Sequence, residues 1–251
     1  MAASLWRTVR ILGVPVDAVT FDETLKIFEE FVADGQTHHV VTVNPEFIMT
    51  ARRMDEFRQV LEGADLRLPD GVGILWAGRI LGQPLPQRVA GSDLVPLLAQ
   101  RSAASGWRLF FLGAEPGVAD RAADILRRRY PGAQIVGTYP GSPADEEAPE
   151  IIRRVRAARP DILLVAYGAP VQDLWIERHR EALEVPIMMG VGGTFDFIAG
   201  KARRAPLWMR RVGLEWLHRL ICQPWRWRRM LALPHFAARV VASRWVGERA
   251  W

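Results

Sequence analysis

Cysteine occurs once, at position 222, in a chain of 251 residues. A single thiol excludes an internal disulfide and cannot build a cysteine-based zinc site, so a reducing, cytoplasmic compartment is expected. The five histidines (His38, His39, His179, His218, His235) show no HExxH or comparable spacing. His38 and His39 open an apparent strand, where adjacent side chains point to opposite faces. No metal and no cofactor is therefore expected. Long apolar runs are also lacking: Ile162–Ala166 and Val185–Val191 fall far below the ~18–20 residues of a spanning helix. The opening Met-Ala-Ala-Ser-Leu-Trp-Arg has no apolar segment of signal type, so neither export nor membrane spanning is expected. The GxGxxG and GxxxxGK[ST] fingerprints are missing too, which disfavours an NAD enzyme or an ATPase.

Acidic residues are scarce in one segment. Residues 201–251 hold 12 of the 33 lysines and arginines but two of the 28 acidic residues, a net charge of +10 against −5 for residues 1–200. The same segment holds six of the ten tryptophans: Trp208, Trp216, Trp225, Trp227, Trp245 and Trp251. Such a surface suits something both anionic and greasy. Indole rings settle at the headgroup level of a bilayer, and cations are drawn to anionic lipid. Nucleic acid is the rival, because Arg and Trp also serve phosphate contact and base stacking. A solvated basic helix pair with ordinary core tryptophans is the plain alternative. The clustering of both residue types favours an anionic membrane surface, and the acidic body argues against nucleic acid. Over Leu214–Met230, Arg219, Arg226 and Arg229 fall within ~80° of arc at 100° per residue. That shared face holds only if Pro224 leaves the helix continuous, and a solvated face accounts for the three arginines equally well. Apolar surface beside the tail also offers a way to pair subunits as a homo-oligomer.

Short β-rich runs alternate with helical patterns elsewhere. Strands are expected at Val9–Val14, His39–Asn44, Trp107–Gly113, Gln134–Gly137, Asp161–Ala166 and Pro186–Val191. Helices are expected at Asp22–Ala33, Glu46–Glu62, Ser92–Ala104, Val118–Tyr130, Ala148–Ala158 and Val171–Leu183. Near-continuous apolar strands such as Ile162-Leu-Leu-Val-Ala166 read as covered on both faces. The alternation predicts an α/β fold, a Rossmann-like and mainly parallel sheet flanked by helices. The main α/β domain is expected over residues 1–200. A basic helical appendage follows over 201–251, punctuated by Pro206, Pro224 and Pro234.

Three groups of residues can carry chemistry. Thr42-Val-Asn44-Pro45-Glu46 ends a strand and starts a helix. Ligands of open parallel sheets bind outside the carboxyl ends of strands, and Thr42 and Asn44 share a face. Asn44 before Pro45 is equally a good N-cap, which is the commoner role for that pair. Pro69-Asp70-Gly71-Val-Gly73 then places a carboxylate at a loop-to-helix junction, either as turn chemistry or as a base for a substrate hydroxyl. Arg88, in Arg88-Val-Ala-Gly91-Ser-Asp93, is an anion partner or one half of a surface ion pair. The third group is a triple of strand–glycine turn–helix junctions, at Gly113, at Gly168 with Gln172, and at Gly192-Gly193 with Asp196. Together they fit a nucleotide pocket, with backbone amides near phosphate, Asp196 on ribose and Gln172 on sugar or phosphate oxygens. On these features alone a Rossmann-like oxidoreductase remains the main alternative.

In this order the motifs Thr42-Val-Asn-Pro-Glu46, Pro69-Asp-Gly-Val-Gly73, Arg88-Val-Ala-Gly91, Phe111-Leu-Gly113, Gly168-Ala-Pro-Val-Gln172, Gly192-Gly-Thr-Phe-Asp196 and Gly213-Leu-Glu-Trp216 resemble the WecG/TagA/CpsF family of bacterial glycosyltransferases. The resemblance covers roughly residues 9–235. It implies an inverting, metal-independent transfer of a sugar from a UDP-sugar donor to a polyprenyl-diphosphate-linked sugar acceptor at the inner membrane face. The sugar it implies is of the N-acetylmannosamine type, or glucose or a uronic acid. By the same resemblance Asp70 is the general base, Thr42 and Asn44 lie near the sugar pocket, and Arg88 and Gln172 are further site positions. The resemblance further implies that Arg219, Arg226 and Arg229 hold the lipid diphosphate. One departure stands out: Val171 occupies a position where many relatives carry lysine.

Overall fold

The computed structural model describes residues 6–211, 213–224 and 227–246. The chain opens with a hairpin, β1 (Thr8–Ile11) and β2 (Val14–Asp17), followed by α1 (Phe21–Ala33) and β3 (His38–Val43). Next come α2 (Pro45–Ala51), α3 (Asp55–Gly63), β4 (Leu66–Pro69), α4 (Val72–Ile80) and α5 (Gly91–Ser105). The second half runs β5 (Arg108–Gly113), α6 (Val118–Arg129), β6 (Gln134–Tyr139), α7 (Ala148–Ala158), β7 (Ile162–Ala166), α8 (Val171–Leu183), β8 (Ile187–Gly190) and α9 (Thr194–Ile198). The tail holds α10 (Leu207–Arg211), α11 (Glu215–Cys222), α12 (Trp227–Met230) and α13 (Ala232–Val246).

Six strands form one parallel sheet in the order β4-β3-β8-β7-β5-β6. The chain moves outward from β3 to β4, and α4 and α5 carry it across to β5. It then reaches the far edge at β6 and returns inward through β7 and β8. The first and last strands of the sheet, β3 and β8, are therefore neighbours, and the direction of winding reverses there. An α/β sheet offers its crevice at the carboxyl ends of such strands.

Both faces of the sheet are covered, as the apolar runs require. In β7, Ile162 and Leu164 join the core under α1, α5, α6 and α9, while Leu163 and Val165 join the core under α7 and α8. A third core packs the hairpin, α2, α3 and α4 around Val41, Val43, Ile48 and Phe57. The tail enters this third core: Phe236 and Val240 of α13 are buried there.

Several elements depart from the expectations. The expected strand Val9–Val14 is a hairpin, because Leu12 and Gly13 both take positive φ (46° and 78°) and reverse the chain. The expected helix Glu46–Glu62 is broken at residues 52–54. Phe47 and Phe57 would lie ~15 Å apart along a straight helix, whereas the break brings their rings to 5.2 Å. Gln134–Gly137 extends to Tyr139, and the missing side chain at Gly137 leaves room for the Phe110 ring. The strand β4 was not anticipated, whereas α4 starts at the loop-to-helix junction expected at Asp70-Gly71. In the tail, α11 ends at Cys222 and α12 starts at Trp227, so the continuous helix that would align Arg219 with Arg229 does not form. Arg226 lies outside the described residues.

Candidate active site

The motif residues gather at the carboxyl edge of the sheet, where each strand hands over to a helix. Asn44 ends β3 and caps α2, its Oδ1 accepting from the Phe47 amide at 3.0 Å, with Pro45 in the first turn. The capping role expected for Asn44 is thus realised, which fixes its side chain over the first turn of α2. Asp70 follows β4 directly, and its amide donates to the Val43 carbonyl at 2.8 Å. Gly71 caps α4 at φ 91°, a conformation that side chains rarely adopt. Gly73 follows against Pro45, where a Cβ would come within 2.8 Å of the proline ring. The half-buried Asp70 carboxylate is therefore held on a sharp strand-to-helix turn packed against the turn that carries Asn44.

The loop before α5 closes over the same point. Val89 donates its amide to the Pro69 carbonyl at 2.7 Å, so Arg88 enters beside the Asp70 turn. A Cβ placed on Gly91 would stand 3.8 Å from Thr42 Cγ2 and 3.9 Å from Val191 Cα. Thr42, Asn44, Asp70, Gly91 and the end of β8 thus converge at the β3/β8 switch point.

Arg88 belongs to a cluster that joins body and tail. Its guanidinium donates to Asp93 at 2.6 Å and to Glu215 at 3.3 Å. Arg204 donates to Asp93 at 2.7 and 2.9 Å and to Glu215 at 3.2 Å. Arg210 stands 3.5 Å from Asp93. Pro96 sits inside α5 with no N–H to offer the Ser92 carbonyl, and Arg204 donates to that oxygen instead, at 3.4 Å. Burial pushes the Asp93 carboxyl up, but Arg204, Arg88 and Arg210 outweigh it and hold the pKa below the usual carboxylate value. Burial acts against the Arg204 charge as well, and Asp93 and Glu215 more than compensate. Among the described residues of this cluster, three guanidiniums share two carboxylates.

The glycine turns play unequal parts. Gly113 meets the backbone of Ala166, where a Cβ would come within 2.9 Å, so glycine there permits β5 and β7 to close up at their ends. Around Gly168 and Gly192 there is open space. Their amides donate to one acceptor, Gln172 Oε1, at 3.1 and 2.9 Å. Gln172 is buried and staples the two turns together, so its oxygen and these two N–H groups are engaged within the protein. Asp196 lies in the first turn of α9, near Gly193, and is paired with Lys201 at 3.8 Å; Lys201 also pairs with Glu115.

Of the tail arginines, Arg229 forms an ion pair with Glu46, next to Pro45, and so reaches the carboxyl edge of the sheet. Arg219 lies in α11. Sequence reasoning passed over Asp93, Arg204 and Glu215 as site residues. Glu215 was visible within Gly213-Leu-Glu-Trp216, but its partner is 127 positions away and no local pattern signals the pairing. Among the described residues, no group of three or more His, Cys, Asp or Glu side chains is placed to hold a metal ion.

Three relatives are similar over most of their length. An N-acetylglucosaminyldiphosphoundecaprenol N-acetyl-beta-D-mannosaminyltransferase of Bacillus spizizenii is 36% identical over 80% of this chain and 78% of its own. The enzyme of the same name from Bacillus subtilis is 32% identical, covering 94% of this chain and 91% of its own. That of Staphylococcus aureus is 29% identical, covering 94% and 93%. The family model described as Glycosyl transferase WecG/TagA/CpsF matches residues 9–250, which include every motif at the carboxyl edge and most of the tail. The chain belongs to the WecG/TagA/CpsF family of glycosyl transferases.

Proposed function

We propose that this glycosyltransferase moves a sugar of the N-acetylmannosamine type from a UDP-sugar onto an undecaprenyl-diphosphate-linked sugar, with inversion and without a metal, in bacterial cell-surface polysaccharide synthesis. The observation that carries the reading is the convergence of Asp70, Thr42 and Asn44 at the β3/β8 switch point, with Arg88 linking them to a basic tail. The names of the relatives supply the acceptor and the sugar class.

In the proposed reaction an acceptor hydroxyl approaches the donor's anomeric carbon from the side opposite UDP. Asp70 takes the hydroxyl proton as the new carbon–oxygen bond forms, and the bond to the UDP oxygen breaks with its electron pair leaving on UDP. Thr42 orients the sugar from below, while the Asn44 cap fixes the floor of the pocket. Charge builds on the departing diphosphate, so fixed positive charge near it lowers the barrier. Arg88, Arg229 and the amino-terminal end of α8 supply that charge in this reading, with Arg219 and Arg226 completing the set from the tail.

The acceptor's prenyl chain stays in the membrane, so the site must sit at a bilayer surface. No helix among the described residues is long and apolar enough to cross one. Support for a peripheral seat comes from exposed apolar side chains on the tail (Trp208 at 62%, Ile221 at 67% and Trp245 at 84% exposure). Val72 and Trp76 of α4, the helix that follows Asp70, are exposed as well, so the greasy surface extends to the catalytic turn. The test is UDP release in EDTA from a panel of UDP-sugars, with N-acetylglucosaminyl-diphosphoundecaprenol as acceptor. Acceptor-dependent release from UDP-N-acetylmannosamine supports the reading. No release from any donor overturns it.

A further inference from the structure

Immediately after Gln172 comes a carboxylate that the reaction above does not use. Asp173 is fully buried, and neither of its carboxylate oxygens has a hydrogen-bond partner. It faces His39, also fully buried, whose Nε2 lies 3.9 Å from Asp173 Oδ1, within ion-pair reach but too long for a hydrogen bond. The other ring nitrogen of His39, Nδ1, is 3.2 Å from Glu177 Oε2. An isolated carboxylate in such a place is costly, whereas one facing an imidazolium is compensated. Burial works against a charged His39, but Asp173 and Glu177 more than reverse it and hold its pKa above the ordinary histidine value.

The pair sits where it can act on the site. Asp173 and Gln172 lie flush against Gly190, the last residue of β8: a Cβ there would be 2.3 Å from Gln172 Nε2 and 2.7 Å from Asp173 Oδ1. His39 stands on β3, beside β8, two residues before Val41 of the core. The pair therefore ties the first turn of α8 to β3 and β8, the neighbouring strands at the switch point. One residue earlier in that turn, Gln172 holds the Gly168 and Gly192 amides.

We propose that Asp173 is a positioning residue: paired with His39, it pins the first turn of α8 onto Gly190, and thereby sets Gln172 and the two turns that Gln172 staples. That these turns border the donor pocket rests on the function proposed above; the clamp itself does not. The charged groups facing the pair are few. Glu177 and Arg180 come from α8, with Arg180 3.4 Å from Glu177 and 3.6 Å from Asp65. Asp65 accepts the His39 amide at 2.8 Å, and His38, on the opposite face of β3, pairs with Asp34 and Asp65.

His39→Gln leaves the buried Asp173 carboxyl without its partner, while the double variant His39→Gln/Asp173→Asn removes both members of the pair. Breaking one side of a buried pair costs far more than neutralising both. Three quantities decide: amide hydrogen exchange at Gly168 and Gly192, the donor KM against kcat, and the His39 imidazole pKa followed by NMR. In His39→Gln, exchange at both glycines should speed up and donor KM should rise by about tenfold or more, with kcat changed less. The double variant should return both to within about threefold of the unmodified protein. In Asp173→Asn the His39 pKa should fall. Additive losses in the double variant, unchanged exchange in His39→Gln, or an unmoved His39 pKa would each overturn the clamp. If His39→Gln does not fold, Asp173→Asn decides through exchange and the His39 titration. If the unmodified protein binds no UDP, the donor reading fails while exchange and titration still judge the clamp.

Discussion

Arg204, in the tail, grips Asp93, at the head of α5, through two hydrogen bonds of 2.7 and 2.9 Å. This grip, with Glu215 returning to Arg88, is the polar half of the joint between tail and body. Hydrogen bonds to charged groups contribute about 1.5–3 kcal/mol each. Arg204→Met is therefore expected to lower the unfolding free energy in urea by about 2–3 kcal/mol near neutral pH. The sign with pH follows from Asp93, whose folded pKa is depressed. Its contribution is present above the ordinary carboxylate value of ~3.9 and is lost as pH falls through the lower folded value. The gap between Arg204→Met and the unmodified protein should shrink at the acid end; a constant gap would show that Asp93 is not the partner that matters.

The apolar half of the same joint is α13. Phe236 lies in the core with Ile48, Phe57 and Ile74 and approaches Gly73 of α4. Phe236→Ala should cost about 3–5 kcal/mol by loss of buried area and the cavity left behind, read as a lower midpoint in thermal unfolding. A loss under about 1 kcal/mol would mean that α13 docks only loosely. Removal of everything after Gly200 would strip this core too, so the tail is better dissected by point substitution.

Of the six strands of the sheet, all but β4 were readable in the sequence, the edge strand β6 only as far as Gly137. β3, β5, β7 and β8 are apolar runs buried on both faces, and composition alone marks such runs. The strand that carries Asp70 was not readable: Leu66-Arg-Leu-Pro69 is four residues long, with Arg67 half-buried where it pairs with Asp17. The turn chemistry of Asp70-Gly71 was legible, but its strand-to-helix setting was not. Asn44 was legible as a cap because Asn-Pro is a local signal. Gln172 was singled out for ligand oxygens, yet its oxygen holds two glycine amides from different turns, a relationship set by strand order rather than by spacing. The same limit hid Glu215 against Arg88 and His39 against Asp173. Pairings across 127 and 134 positions exist only once the sheet is wound.

Membrane attachment has its own test. Trp208 and Trp245 are largely exposed and contribute little to the core. Replacing both with Ser should leave the unfolding midpoint nearly unchanged and weaken co-sedimentation with anionic vesicles. Each buried indole contributes on the order of 1.5–3 kcal/mol when transferred from water, so binding should fall by about tenfold or more. Vesicles of neutral lipid should bind the unmodified protein less well, because each tail arginine near an anionic surface adds about 1 kcal/mol. Unchanged sedimentation of the double variant would assign the exposed tryptophans to another surface, such as a second copy of the chain.

Asp70 carries the sharpest expectation. Asp70→Asn keeps the shape of the turn, since the Asp70 amide contact to Val43 and the Gly71 conformation involve only backbone. What it removes is the proposed proton acceptor. General base catalysis is worth about 10²–10⁴-fold, so kcat should fall by that factor while UDP affinity, measured by calorimetry, stays within about twofold of the unmodified protein. A fall in UDP affinity as large as the fall in kcat would place Asp70 in donor binding instead. Turnover at the normal rate would remove it from the mechanism and return the search for a base to the other groups at the β3/β8 crevice.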